Sequence, residues 1–206
     1  LVKAGSLLAI VTGSARSLLA AERVALNLLG QLSGVATATR ELVDQIAGTN
    51  ASLVDTRKTV PGLRALQKAA VQAGGGQNHR MGLYDAVLIK DNHIAVAGSV
   101  EVAVEQARAA VGPGTSIEIE VESAEQLEAA ITAGADIVML DNMSVNEMRE
   151  AVLITDGRCR TEASGGIMIG TVREVAKTGV DMISVGWITH SAPALDVALD
   201  LEYLEG

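Results

Sequence analysis

The sequence predicts an α/β fold, a TIM-like βα barrel of parallel strands. Three observations predict it. Short apolar strands alternate with helical patterns about six times, with little sign of antiparallel hairpins. Chemistry-bearing residues recur where strands end: Asp55–Lys58, Lys90, Glu120, Asp141, Glu162–Ser164 and Gly186. In a barrel all those ends face one rim, whereas the outer strands of an open sheet stand too far apart to share a site. No Gly-x-Gly-x-x-Gly fingerprint follows the first strand, which weighs against a dinucleotide fold.

Each element has its own signal. "LVKAGSLLAIVTG" alternates and turns like the middle of a β structure, and its first residue is Leu. More chain, and with it most of a further domain, is expected upstream. Residues 14–47 read as one or two helices interrupted near Gly34. Then the units repeat. "ASLVD" reads as a strand and "PGLRALQKAAVQAG" as a helix opened by Pro61 and closed by glycines. "DAVLIK" is a strand and "SVEVAVEQARAAVG" a helix. "SIEIEVE" is a strand, followed by a helix capped by Ser123 and stopped at Gly134. "ADIVMLD" and "SVNEMREAVL" make the next pair, "CRTEAS" and "MIGTVREVAKTG" another. "VDMISVG" and "APALDVALDLE" close the series. The divisions are 1–33, the remnant and linking helix; 34–190, the barrel; and 191–206, a C-terminal helix.

Composition narrows the function. Hydrophobic residues make up 49% of 206, aromatics only 1%, and Phe is absent. The core must be Ala, Val, Leu and Ile, a mixture suited to helices packed on buried parallel strands. Cys159 is the single cysteine, so no intrachain disulfide forms, which fits a reducing, cytoplasmic setting. No apolar run approaches the roughly 20 residues of a membrane helix. The net charge of -9 and the shortage of stacking side chains argue against nucleic acid. Yet residues 57–90 hold Arg57, Lys58, Arg64, Lys68, Arg80 and Lys90, with His79 beside them and Asp85 the lone acid. A solvated helix face accounts for Arg64 and Lys68. Arg57, Lys58, Arg80 and Lys90 read as a site for a small polyanion.

Other groups point to chemistry. Ser164, Gly165 and Gly166 in "EASGGI", and Gly186 with His190 in "SVGWITHSAP", suit phosphate. Glycines admit a close anion, free N–H groups at a helix start complete the cradle, and the last two βα loops of barrels often hold one. Glu120 and Asp141 either pair with Lys90 or Arg57 to hold the rim, or bind ribose hydroxyls, Mg²⁺, or both. Lys90 is either a Schiff-base nucleophile or a point charge for phosphate. The His79–Arg80 pair, after three glycines, suits a carboxylate. His93 reads as a loop hydrogen-bonder, and Met143 and Trp187 as packing residues.

The stretches "ERVALNLL", "LSGVATATR", "DTRKTVPGLR", "GGGQNHRMGLYDAVLIKDNH", "IEIEVES", "ADIVMLDNMS", "EASGGI" and "GVDMISVGWITHSAPALDVALD" resemble the quinolinate phosphoribosyltransferase family, also called carboxylating nicotinate-nucleotide pyrophosphorylases. They cover nearly the whole chain in the expected order. The resemblance implies an α/β fold, an incomplete βα (TIM-like) barrel with a remnant of an N-terminal α/β domain, and a homodimer in NAD biosynthesis. It implies conversion of quinolinate and phosphoribosyl pyrophosphate to nicotinate mononucleotide, pyrophosphate and CO₂. It implies that Arg57, Lys58, His79 and Arg80 surround the quinolinate carboxylates and that Arg23 reaches the neighbouring subunit's site. Lys90, Ser164, Gly165, Gly186 and His190 would take the phosphoribosyl pyrophosphate, while Glu120 and Asp141 would hold its ribose and Mg²⁺. Lys58, Lys90, Glu120 and Asp141 are the catalytic candidates. Trp187 departs from the small residue the family pattern leads one to expect. Three rivals remain: a pyrophosphorylase of the related molybdenum-transport-associated branch, a Schiff-base aldolase using Lys90, and a non-catalytic barrel that binds a phosphorylated ligand.

Overall fold

The computed structural model describes residues 1–202. Its order is α1 (Ala15–Gln45), β1 (Ser52–Val54), α2 (Arg64–Ala73), β2 (Val87–Ile89), α3 (Asp91–Ala97), α4 (Val100–Ala110), β3 (Ile117–Val121), α5 (Ala124–Thr132), β4 (Ile137–Asp141), α6 (Val145–Thr155), β5 (Arg160–Ser164), α7 (Val172–Ala176), β6 (Met182–Ser184) and α8 (Trp187–His190). All strand pairs are parallel and the sheet runs β1-β6-β5-β4-β3-β2. β1 therefore closes onto β6, while β1 and β2 do not meet, leaving the expected incomplete barrel. Gln77 partly fills the gap, donating to the Leu53 carbonyl (2.8 Å) and accepting from the Asp55 amide (3.2 Å).

Strand alternation separates two faces. Ile117, Ile119, Val121, Val138, Leu140, Ala163 and Ile183 point outward, where they and the helices form the main core. The opposite face lines the barrel. At its closed end Val54, Ile137 and Met182 make a small apolar plug. Farther along the same columns come Glu118 and Glu162, and at the rim Glu120, Asp141 and Ser164. The lining thus changes from hydrocarbon to acid and hydroxyl toward the strand ends.

Helices begin where the capping chemistry predicts. Ser99, Ser123 and Ser144 each accept an orphan amide at an N-terminus, a bond worth about 1 kcal/mol per cap. Gly134, at φ +85, ends α5 as expected.

Several expectations need correction. α1 runs unbroken through Gly34, so the expected 33/34 division falls inside one helix. Gly30 and Gly34 serve close approach instead: a Cβ there would lie 2.7 Å from the Leu195 carbonyl oxygen and 2.1 Å from that of Pro193. The expected C-terminal helix is not formed over 191–202, and residues 203–206 lie outside the described part. The Leu195 amide donates sideways to the Gly30 carbonyl (3.0 Å), so the segment packs against α1 instead. A short helix, α8, forms earlier, directly after β6. Residues 1–13 form no strand, and their apolar side chains are exposed. α3 was not expected, because "DNHIAVA" follows its strand without a turn. There the Lys90 amide donates to His93 Nδ1 (2.9 Å), the loop contact expected of that histidine.

Candidate active site

The rim gathers most of the expected residues. Lys90 at the end of β2 pairs with Glu120 on β3. Glu120 and Asp141 line one cleft of ≈ 280 Å³ with Asp91 and Gln126. Asp141 stands in register with Ser164 on β5. Asn142, at φ 54, donates to Asp141 Oδ2 (2.7 Å), and a Cβ on Gly165 would fall 2.2 Å from its Oδ1. On the β1 side, Lys58 lies across Gly186, where a Cβ would come within 3.0 Å of Lys58 Cδ and 3.7 Å of His190 Nε2. Thr189 binds the Lys58 carbonyl (2.7 Å), tying α8 to the "DTRK" segment.

Between these sides stand Arg57 and Arg80. Arg80 donates to the Ala86 carbonyl (3.2 Å), and burial, then the Arg57 charge, lower its pKa. Arg57 Nε is buried and has no partner among the described residues. Two guanidiniums held together against their repulsion suit a ligand carrying two negative charges.

His79 lies deeper. Its Nε2 is 2.8 Å from Glu118 Oε2 and 3.3 Å from Glu162 Oε2. Burial disfavours its charge, but the two carboxylates prevail and carry its pKa up to about 10. Glu118, pushed up by burial, reaches about 6. Glu162 is wholly buried and neither of its oxygens makes a well-aligned hydrogen bond. This trio has the donor types of a metal site, but the protonation of His79 argues otherwise. With its pKa carried up to about 10, the ring holds a proton on Nε2, facing both glutamates where a metal would need a bare lone pair.

Sequence reasoning missed Glu118 and the interior role of Glu162. The signal was the alternation in "IEIEV", which puts Glu118 and Glu120 on one face. It also misplaced Lys68 and Arg64. Lys68 is fully buried against Asp55, and Arg64 donates to Thr59 Oγ1 (3.1 Å) and to the Met81 (3.2 Å) and Arg57 (3.3 Å) carbonyls. Neither belongs to a solvated face.

Two more expectations change. The glycines after β5 do not open a helix, since α7 begins only at Val172. Met168–Thr171 intervene as a turn, held by the Val172 amide on the Met168 carbonyl (2.9 Å). Arg23 is not brought to the rim. It stands on α1, its side chain 74% exposed beside Glu22, and borders a cleft of ≈ 480 Å³ with Asn27, Gln31 and Leu195. Trp187 packs as expected, its indole donating to the Ile167 carbonyl (3.1 Å) and joining the last two loops. Lys90, 47% exposed and ion-paired, lacks the desolvation of a Schiff-base lysine. Among the described residues no helix is long and apolar enough to cross a membrane.

Residues 35–200 match the family model "Quinolinate phosphoribosyl transferase, C-terminal domain". A probable nicotinate-nucleotide pyrophosphorylase [carboxylating] of Bacillus subtilis is 49% identical over 197 residues, 96% of this chain and 68% of the relative. The Mycobacterium leprae nicotinate-nucleotide pyrophosphorylase [carboxylating] is 48% identical, covering 97% of this chain and 71% of its own. The solved structure of NadC from Streptococcus pyogenes superposes with a TM-score of 0.89 at 47% identity, over 94% of this chain and 68% of that one.

Proposed function

The chain belongs to the quinolinate phosphoribosyl transferase family, and from that premise we propose how its barrel rim carries out the family's reaction. The enzyme transfers phosphoribosyl from phosphoribosyl pyrophosphate to quinolinate with decarboxylation, giving nicotinate mononucleotide, pyrophosphate and CO₂ for NAD biosynthesis. One observation carries the assignment of roles. Arg57 and Arg80, neither of them in a salt bridge among the described residues, are held close enough to repel each other at a rim that also presents carboxylates and glycine loops.

In our reading Arg57, Arg80 and Lys58 take the two quinolinate carboxylates. His79 contributes positive charge from beneath and reaches the ligand directly only by exchanging a bond it now makes. Gly165, Ser164, Gly186 and His190 take the 5′-phosphate, and Lys90 the pyrophosphate side. Glu120 and Asp141 take the ribose hydroxyls. Their oxygens, with Asp91 beside them in the cleft, also form a donor set that fits Mg²⁺. When bound, the ion would neutralise charge on the pyrophosphate.

The pyridine nitrogen attacks ribose C1 as pyrophosphate leaves. Carboxylates near C1 favour the oxocarbenium character of that centre, and fixed cations favour the leaving group. Holding two anions side by side against repulsion supplies much of the remainder. The ribosylated ring is a pyridinium. Departure of the C2 carboxylate as CO₂ leaves its electron pair on C2, where the adjacent cationic nitrogen stabilises it until a proton from solvent takes the position and gives nicotinate mononucleotide, so transfer precedes decarboxylation and no decarboxylation cofactor is required.

We further propose a homodimer in which Arg23 enters the neighbouring site. Leu19, Val24 and Leu29 are exposed around the same stretch of α1, hydrocarbon that contact with a second copy would cover. A cytoplasmic setting agrees with the lone, half-buried thiol of Cys159.

The deciding experiment is release of ¹⁴CO₂ from carboxyl-labelled quinolinate. Release that requires phosphoribosyl pyrophosphate is expected. Labelled quinolinate left intact with both substrates present would overturn the assignment for this chain.

A further inference from the structure

We propose that the buried Asp55–Lys68 ion pair is a positioning device that holds the His79–Arg80 segment in register with the cations at the end of β1. The pair is completely enclosed, both side chains at 0% exposure. It does not merely neutralise itself. Asp55 Oδ1 also accepts the His79 amide (2.9 Å), and Lys68 Nζ also donates to the His79 carbonyl (2.9 Å). One ion pair therefore grips both backbone polar atoms of one residue. With its amide oriented accordingly, the preceding Asn78 donates to Asp55 Oδ2 (2.7 Å) and to the Lys68 carbonyl (2.9 Å).

The chain's path explains the need. Residues 74–86 begin with three glycines and have no helix and only the single bridge of Gln77 to Val54. They also cross the open side of the barrel, where beyond that bridge no strand pairs with them. Asp55 directly follows β1, two residues before Arg57, and Lys68 comes from the middle of α2. The pair thus joins a strand end, a helix and an otherwise loosely held segment at the point where Arg57 and Arg80 must face one ligand. A buried pair is weak evidence for stability, since an apolar pair of similar volume often serves as well, and its better-attested use is to fix register.

The inference rests on the reading of Arg80 as a quinolinate contact, and the test separates the two. The variant Asp55→Leu/Lys68→Met removes both charges together. Asp55→Asn/Lys68→Met keeps an acceptor for the His79 amide and serves if the first does not fold. Hydrogen exchange of the 77–81 segment, without ligand, reads the grip itself. Calorimetry reads quinolinate and phosphoribosyl pyrophosphate binding separately. The expected result is exchange roughly 10-fold faster and quinolinate binding roughly 10-fold weaker, with phosphoribosyl pyrophosphate affinity within about 2-fold. Unchanged exchange overturns the proposal, and so does equal weakening of both ligands, the mark of a purely structural pair. A wild-type chain that binds neither ligand overturns the assignment of Arg80, while the exchange comparison still reads the grip.

Discussion

At the scale of single residues, charge at this site is decided by burial and partners. Arg80 is partly desolvated and stands against Arg57, so its guanidinium gains most when a dianion arrives. Arg80→Lys should weaken quinolinate binding by about 10-fold or more, because an ammonium cannot make the planar two-point contact. Calorimetry giving the wild-type affinity would refute the role. His79 supplies a pH dependence. Its pKa is about 10 in the fold against 6.5 outside it, so the folded state binds this proton more tightly. The stabilisation is complete below pH 6.5 and fades as the pH rises toward 10. Removing one carboxylate by Glu162→Gln should lower the folded pKa and flatten the fall in thermal midpoint between pH 7 and 10. An unchanged slope would mean that His79 is not the group responsible. Legibility in the sequence divides along the same line. Arg57, Arg80, Glu120 and Asp141 announce themselves by standing at strand ends. Lys68 does not, because helix periodicity gives the face of a residue but not whether that face meets solvent or a buried aspartate.

At the scale of elements, the βα alternation was readable because the outward columns of the strands are mostly apolar and α1, α4, α5 and α6 open on a capping serine. What misled were segments whose conformation is set by tertiary contact. Pro193–Val197 has a helical pattern yet forms no helix, because the glycine notch of α1 offers the Leu195 amide a partner at Gly30. Gly34 has the look of a helix breaker but completes that notch. The loop after β5 depends on glycine for a different reason. Gly165 has φ +99, and an added Cβ would meet Asn142 at 2.2 Å. Gly165→Ala should therefore cost roughly 1–3 kcal/mol in backbone strain. It should also push Asn142 from Asp141 and raise KM for phosphoribosyl pyrophosphate more than KM for quinolinate. Thermal melts and steady-state kinetics measure both, and a normal KM for phosphoribosyl pyrophosphate would remove this loop from the phosphate site.

At the scale of the whole molecule, the barrel is open between β1 and β2, and the N-terminal half of α1 stands clear of it. Only Gly30 and later residues of α1 are buried. The earlier turns carry Leu19, Val24 and Leu29 into solvent, and among them stands Arg23 beside the ≈ 480 Å³ cleft. Such a helix costs stability unless a second surface covers it, and Arg23 has no contact with its own chain's rim residues. Both facts have one explanation if α1 seats against another copy and delivers Arg23 to that copy's anion site. The consequence is measurable in mixed dimers. Arg23→Ala and Glu120→Gln should each lower turnover severely, the second by roughly 10²-fold if Glu120 acts on the transition state. In a mixed dimer of the two variants, one of the two sites receives an intact Arg23 from its neighbour and retains its own Glu120. Co-refolded chains should therefore recover about a quarter of wild-type activity: half of the dimers are mixed, and each has one intact site of two. Recovery no greater than the average of the parent variants would place Arg23 outside the neighbour's site and leave the exposed face of α1 without a catalytic purpose.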